Sequence, residues 1–599
     1  MPNPSNPPRR TARPDRARAL TLVGAAVAFA VLFISPAAMA QKTKPGSGQV
    51  AKPKPKKPKD GKAAPKGDGK ATPKGNGKAT AHPHHGGGRP AAAGAASGPA
   101  APSADAAPVQ LKLAIQKVTL DNGLRVVMNV DRTSPTVAVS VIYDVGSRNE
   151  LKGRSGFAHL FEHMMFQGSA NVPRGEHARL VSGHGGLLNG TTSSDRTNYF
   201  EVVPANELAL ALWLEADRMK SLDVSEANFE NQRKVVQEEY RMRVSNVAYV
   251  PSAIRLEELV FQGYWPYEHS TIGSMADLDA AQLPWIKEFH GQYYAPNNAV
   301  LTIAGDFEAD EAMAMVHRYF DAIPRAAVPA FEPTPFPEQT SQRTAIMKDV
   351  NARSPGVLYG WAIPPTRTPD HYALEIAAVI LGVGESSRLH QILVREKALT
   401  QNVSVSTERR RGPDLLAIDA QLSEGVKVGD VERVIEAELK SLGTRPPSDA
   451  EMQKAHRRAQ ASLVLGLQSN FARASRLGEY ELFFGDARHL NGEIDKLLAV
   501  TKQDVQRVVA AHLGPTRRTI VETYPADAAV TPEPRSAMGR PASRPNPQPA
   551  AAPKDAAGER SHGAGAKKDG KKGEGKGKGT GAGKKKAAPV AAPAKKKKP

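Results

Sequence analysis

Apolar residues recur along this chain with two periods, and the period changes at turn-forming residues. In "KVTLDNGLRVVMNV", residues 117–130, two alternating runs flank Asp121-Asn122-Gly123. That pattern predicts a β-hairpin. "TVAVSVIYDVGS" (136–147) reads as a third strand, and "NNAVLTIAGD" (297–306) as a later one. Between them the period lengthens to that of a helix in "FAHLFEHMM", in "NELALALWLEADRMKSL" (206–222) and in "SEANFENQRKVVQEEYRMRVSN" (225–246). A further helix is expected from Glu308 to Phe320.

After "PRAAVPAFEPTPFPEQTSQ" (324–342), whose prolines interrupt every period, a similar order begins again. Strands are expected in "RTAIMKDV", "GVLYGWAIP", "NVSVSTE", "DLLAIDAQL" and "RRTIVETYP". Helices are expected in "HYALEIAAVILG", "VGDVERVIEAELKSL", "DAEMQKAHRRAQASLVLGLQ" and "TKQDVQRVVAAHLG". Strands and helices are segregated rather than strictly alternating. The expected class is therefore α+β, two similar domains at 109–325 and 343–525, each a largely antiparallel sheet packed with helices, joined by a linker at 326–342.

The two ends of the 599-residue chain have no such periods. An Arg-rich start leads into an apolar run from Ala19 to Ile34, and Ala38-Met39-Ala40 has the small-x-small form of a signal-peptidase site, so 1–40 reads as an export signal. Residues 41–108 and 526–599 are Lys, Pro, Gly and Ala in short repeats, too poor in apolar residues to offset the entropy of ordering, and are expected to be disordered. The formal net charge of +20 is concentrated in these ends. The region between them is net acidic, by about six charges, which removes the inference from a basic chain to a nucleic-acid-binding fold. It leaves contact of the tails with anionic surfaces as an expectation. With no cysteine in the chain, neither a disulfide nor a thiolate metal site is available, so any metal must be held by histidine and carboxylate.

"FAHLFEHMMFQGS" (157–169) offers that chemistry. On a helix His159 and His163 stand one turn apart on one face and can converge on a single ion, while Glu162 borders the same face. Zinc takes imidazole nitrogen and, in catalytic sites, three protein ligands with a position left for water. Glu162 would then be the base that takes the water's proton and passes it to a leaving amine. Two ligands and a base are supplied here, and the third ligand must come from elsewhere.

H-x-x-E-H is the signature of the inverzincins, and its surroundings extend the match. With "LDNGLRVVM", "GSRNE", "GFAHLFEHMMFQGS", "GGLLNGTTSSDRTNYFEVVP", "LWLEADRM", "QRKVVQEE", "YYAPNNAVLTIAGDF" and "SSRLHQILVREKALTQNVSV", the chain resembles the pitrilysin/insulinase family of zinc metallopeptidases, in its two-domain form. That form includes the mitochondrial processing peptidase subunits and bacterial exported zinc proteases. The resemblance spans 109–525 and implies one Zn²⁺ per chain. It implies a third ligand on a later helix, where Glu238 and Glu239 are adjacent and alignment picks Glu239. Upstream on that helix Gln232 stands where many members have a supporting Glu. Asn189, Gly190, Thr191 and Thr192 correspond to the sheet edge to which a peptide substrate is added as a strand. His177 and His184 are expected at the surface or at helix ends, not as ligands.

Gln401 stands where the family's second domain often has a substrate-gripping Tyr. Because members enclose peptide between two half-shells and this chain supplies one, the resemblance implies a homodimer or a heterodimer with a non-catalytic homologue. The expected activity is an exported metalloendopeptidase, in the periplasm or at the cell surface of a bacterium. The alternative is a catalytically idle scaffold that binds anionic surfaces or polyanions through its basic tails.

Overall fold

A computed structural model describes residues 110–528 other than Pro333. The expected signal at 1–40, the tail at 41–108 and all but the first three residues of the tail at 526–599 lie outside the described residues. No helix among the described residues is long and apolar enough to cross a membrane.

The first sheet is built from β1 (Gln116–Thr119), β2 (Arg125–Val130), β3 (Thr136–Tyr143), β4 (Leu187–Thr192), β5 (Thr197–Pro204) and β6 (Ala299–Gly305), in the order β1-β2-β6-β3-β5-β4. The second contains β7 (Arg343–Asp349), β8 (Gly356–Ile363), β9 (Thr400–Thr407), β10 (Asp414–Leu422) and β11 (Thr519–Pro525), in the order β7-β11-β8-β10-β9. With β1 set aside, both sheets run first, fifth, second, fourth, third in chain order. In both, the first and fifth strands are parallel and the other pairs antiparallel. The α+β class and the two similar halves are as expected from the sequence, with one parallel pair making each sheet mixed.

Alternation along β3 shows why both faces of the first sheet are covered. Val137, Val139, Val141 and Tyr143 enter the main core under the first half's own helices. Ala138 and Ile142 point the other way, against Ala474, Leu477 and Tyr480. Those residues lie on helix Asn470–Phe484, which belongs to the second half of the sequence. The exchange is reciprocal: helix Val250–Val260, from the first half, lays Leu256 and Val260 on Leu358, Leu415 and Val521 of the second sheet.

Leu256, Val260, Leu477 and Tyr480 are each no more than 2% exposed. At about 1.5–3 kcal/mol per buried apolar side chain, their burial alone rivals the total stability of an ordinary domain, so the two halves hold each other folded. Between Ile323 and Arg343 the described residues form neither helix nor strand.

Candidate active site

Helix Phe157–Met164 is buried along its whole length, beneath the first sheet. Its N-cap, Gly156, has no side chain with which to bond the helix's free N–H groups. Glu150 does so instead: its buried carboxylate accepts from the backbone N–H of Gly156 and of Ala158, both at 2.8 Å, and lies 3.1 Å from His269 Nε2. The "GSRNE" segment therefore anchors the start of the helix that carries the histidines.

His159 and His163 lie one turn apart and meet edge to face, ring centroids 4.9 Å from each other. Helix Glu226–Tyr240 brings Glu239 to them, with Oε2 3.0 Å from His163 Nε2 and 3.9 Å from His159 Nε2. A ligand atom from each of the three residues falls within 4.8 Å of the others. Glu238, one residue and about 100° away on the helix, faces solvent and pairs with Arg241 at 2.9 Å. The π-helical turn Arg241–Ser245 follows, and Arg243 Nε reaches back to Glu239 Oε1 at 3.0 Å.

Burial and the neighbouring His163 press His159 down to about 3, so its ring is neutral and available as a ligand. Burial raises Glu239, but the hydrogen bond with His163 and the proximity of both imidazoles and Arg243 outweigh it and hold the carboxylate at about 2. Both ring nitrogens of His159, and Oε1 of Glu162, are buried without a hydrogen-bond partner among the described residues. Leaving such groups unsatisfied is costly. A cation between the rings and Glu239 would satisfy the facing atoms, and a set of two imidazole nitrogens and one carboxylate oxygen fits zinc with a position to spare.

Glu162 leans toward β4, the edge strand of the first sheet. Thr192 Oγ1 donates to Glu162 Oε2 at 2.6 Å. A Cβ on Gly190 would stand 2.7 Å from Glu162 Cγ, so the strand approaches the base this closely only because residue 190 is glycine. Burial pushes the Glu162 carboxyl up to about 7, against the pull of His163 and the Thr192 hydroxyl. On the opposite face of β4, Arg196 Nη1 donates to Thr191 O at 3.0 Å and to Thr191 Oγ1 at 2.6 Å. Arg196 is held in turn by Glu479 of the exchanged helix, at 3.2 Å. Asn189 Oδ1 accepts from the N–H of Gly190, and Leu187 is more than half exposed at the strand's start.

The remaining sequence candidates lie apart. Gln232 is buried seven positions before Glu239, and among the described residues its amide bonds Asn231 Oδ1 rather than a ligand. His177, in the first turn of helix Glu176–Gly183, is buried against Glu201 at 2.9 Å, and His184 caps the end of that helix through Leu180 O. Gln401 is exposed on β9, the edge of the second sheet, and donates to Leu422 O at 3.0 Å. Glu150, Arg196, Arg243 and Glu479 were not singled out from the sequence; Arg196 and Glu479 meet only through the tertiary fold, whereas Arg243 stands four residues after Glu239. For Glu150 the available signal was a carboxylate a few residues before a helix with an uncapped glycine start.

Residues 125–262 match the model described as "Insulinase (Peptidase family M16)", and residues 283–458 match "Peptidase M16 inactive domain". The chain is 31% identical over 414 residues to zinc protease PqqE of Helicobacter pylori, covering 68% of this chain and 93% of that protein. It is 25% identical over 430 residues to the mitochondrial-processing peptidase subunit beta of Blastocladiella emersonii, covering 69% and 89%. The crystal structure of a protease from Helicobacter pylori superposes with a TM-score of 0.66 at 30% identity, covering 69% of this chain and all of that one. On these matches and the fold they share, the chain belongs to the insulinase family of peptidases, M16.

Proposed function

We propose that this protein is an exported zinc-dependent endopeptidase that cuts extended peptides or small unfolded proteins. The observation that carries the proposal is the convergence of His159, His163 and Glu239 on one point, with the unpartnered Glu162 oxygen beside it. These three residues would hold the metal. A bound zinc ion supplies Lewis acidity, polarising the scissile carbonyl and lowering the pKa of a water.

The chain's own residues do the rest. The free edge of β4 offers backbone groups to which an extended peptide adds as a strand, giving affinity that tolerates many sequences. Glu162, raised toward neutrality by burial, suits a group that must accept a proton and then release it. It takes a proton from the attacking water as oxygen bonds to the carbonyl carbon, and delivers it to the amide nitrogen as the C–N bond breaks. The buried surroundings of Glu162 and His159 keep competing water away from the transfer. A second chain, either another copy or a non-catalytic homologue, would complete the enclosure around the peptide. Export rests on the Arg-rich start, the apolar run and Ala38-Met39-Ala40. An idle scaffold would have no physical need to keep three converging ligands and a base.

Chelation tests the proposal. Full-length protein stripped of metal should lose cleavage of a quenched-fluorescence peptide library and regain it with about one equivalent of zinc. Undiminished cleavage in excess chelator with no bound metal would refute it.

A further inference from the structure

We propose that Thr192 is a positioning residue for the general base, so that β4 sets both where a peptide lies and which way Glu162 points. This deepens the peptidase reading and rests on it. The family resemblance implies that Gly190 and Thr192 belong to the strand edge that binds peptide through its backbone, and their side-chain positions are turned toward the base. Two residues apart on a strand, they share the face of β4 turned toward helix Phe157–Met164. Asn189 and Thr191 occupy the opposite face.

Three observations converge. The Thr192 hydroxyl is bonded to Glu162 Oε2 at 2.6 Å, while Oε1 is buried and unpartnered among the described residues. With one oxygen tied, the carboxylate plane is fixed and the other oxygen alone is left to take a proton. Gly190 lets the strand backbone press on Glu162 Cγ, where any Cβ would collide, so the stem is confined as well as the head. Finally, β4 cannot drift: it is paired with β5 from Leu187↔Val202 to Thr192↔Thr197, and Arg196 grips Thr191 from behind. A peptide added to the outer edge of this strand is therefore placed in a fixed relation to the base through a single rigid element. Placement of this kind is what converts a nearby carboxylate into an efficient base.

The test uses the full-length chain with Thr192→Val, which keeps the side chain's shape and removes the hydroxyl, and Thr192→Ser, which keeps the hydroxyl. Zinc content and melting temperature are measured on each. The expected result is a kcat lowered at least about tenfold in Thr192→Val, with KM and zinc content little changed, and recovery of most of the loss in Thr192→Ser. Thr192→Ala gives the same comparison where the valine variant does not fold.

A wild-type kcat in Thr192→Val would overturn the proposal, as would an equal loss in both variants. A raised KM at unchanged kcat would return Thr192 to a peptide-binding role. A crystal structure of zinc-loaded Thr192→Val decides independently of turnover. The Glu162 carboxylate should be rotated away from its wild-type orientation, and an unchanged orientation refutes the positioning role. Should the zinc-loaded wild type itself be inert, the peptidase reading fails while the structural comparison still decides this one.

Discussion

Glu150 gives the sharpest structural prediction, because it is none of the site residues yet holds the start of the helix that carries them. Its two carboxylate oxygens accept from Gly156 N and Ala158 N, each at 2.8 Å, and Gly156 itself offers no side-chain cap. Glu150→Gln keeps one oxygen and turns the other into an NH₂ group facing a donor, so one buried N–H loses its acceptor. A hydrogen bond to a charged group is worth about 1.5–3 kcal/mol, and loss of negative charge at a helix N-terminus adds about 0.3–1 kcal/mol. The expected cost is therefore about 2–4 kcal/mol, a large share of the 5–15 kcal/mol typical of a folded protein but not all of it. Urea unfolding of metal-free wild type and variant reads that cost. Competition with a chromophoric chelator should show zinc affinity weakened about tenfold or more, because His159 directly follows Ala158. A stability change below about 0.5 kcal/mol, the size expected of an ordinary surface substitution, would refute the capping argument.

Glu239→Gln should weaken zinc binding at least about tenfold, while Glu238→Gln, on the solvent face, should leave it unchanged; metal content after dialysis distinguishes them. A second prediction concerns pH. Burial pushes Glu215 up to about 8 against the pull of Arg218, with Glu201 adding to the rise. The carboxyl thus holds a proton in the folded protein that it has lost in the unfolded chain, where its value is near 4.5. Its contribution to stability is full below that value and is lost as pH rises through about 8. Unfolding midpoints should fall over that window, and Glu215→Gln should flatten the profile. Gly478→Val is expected to cost about 1–3 kcal/mol or more by overpacking. Even a single added Cβ would lie 2.7 Å from Ile142 Cδ1 and 2.9 Å from Thr302 Oγ1. Because that helix covers the first sheet from the second half, calorimetry should show both halves losing stability together.

The elements that positions along the chain could reveal were those marked by their own apolar run or period. The hairpin around Asp121-Asn122-Gly123, the buried strand β3 and the long helix Leu208–Ser221 fall where their periods place them. Helix Asn470–Phe484 was not expected. Its sheet-facing residues include Ala474 and Gly478, small because the strands come close, and Arg473, Arg476, Glu479 and Glu481 break any apolar stripe. Arg473, Glu479 and Glu481 pair with Asp131, Arg196 and Lys117 in the other half of the chain, which no local window contains. Helix Val250–Val260 escaped for the same reason, since its apolar face is matched to the second sheet.

At the site, the i, i+4 spacing of the histidines was visible locally, and the choice of Glu239 over Glu238 came from alignment. The geometry adds the physical reason: the helix turns one carboxylate to the histidines and the other to Arg241. The bond between Thr192 and Glu162 joins positions thirty residues apart and was invisible until strand β4 was set beside the helix.

The most direct test of the account compares wild type with Glu162→Gln, measuring zinc content and peptide cleavage on the same preparations of full-length protein. Glutamine fills the same space and can still accept the Thr192 hydroxyl's proton, but it cannot carry a proton from water to the leaving amine. The predicted result is about one zinc per chain in both proteins, with cleavage reduced about 10²–10⁴-fold in the variant. A variant that retains its zinc and cleaves at the wild-type rate would contradict the assignment of Glu162 as the base.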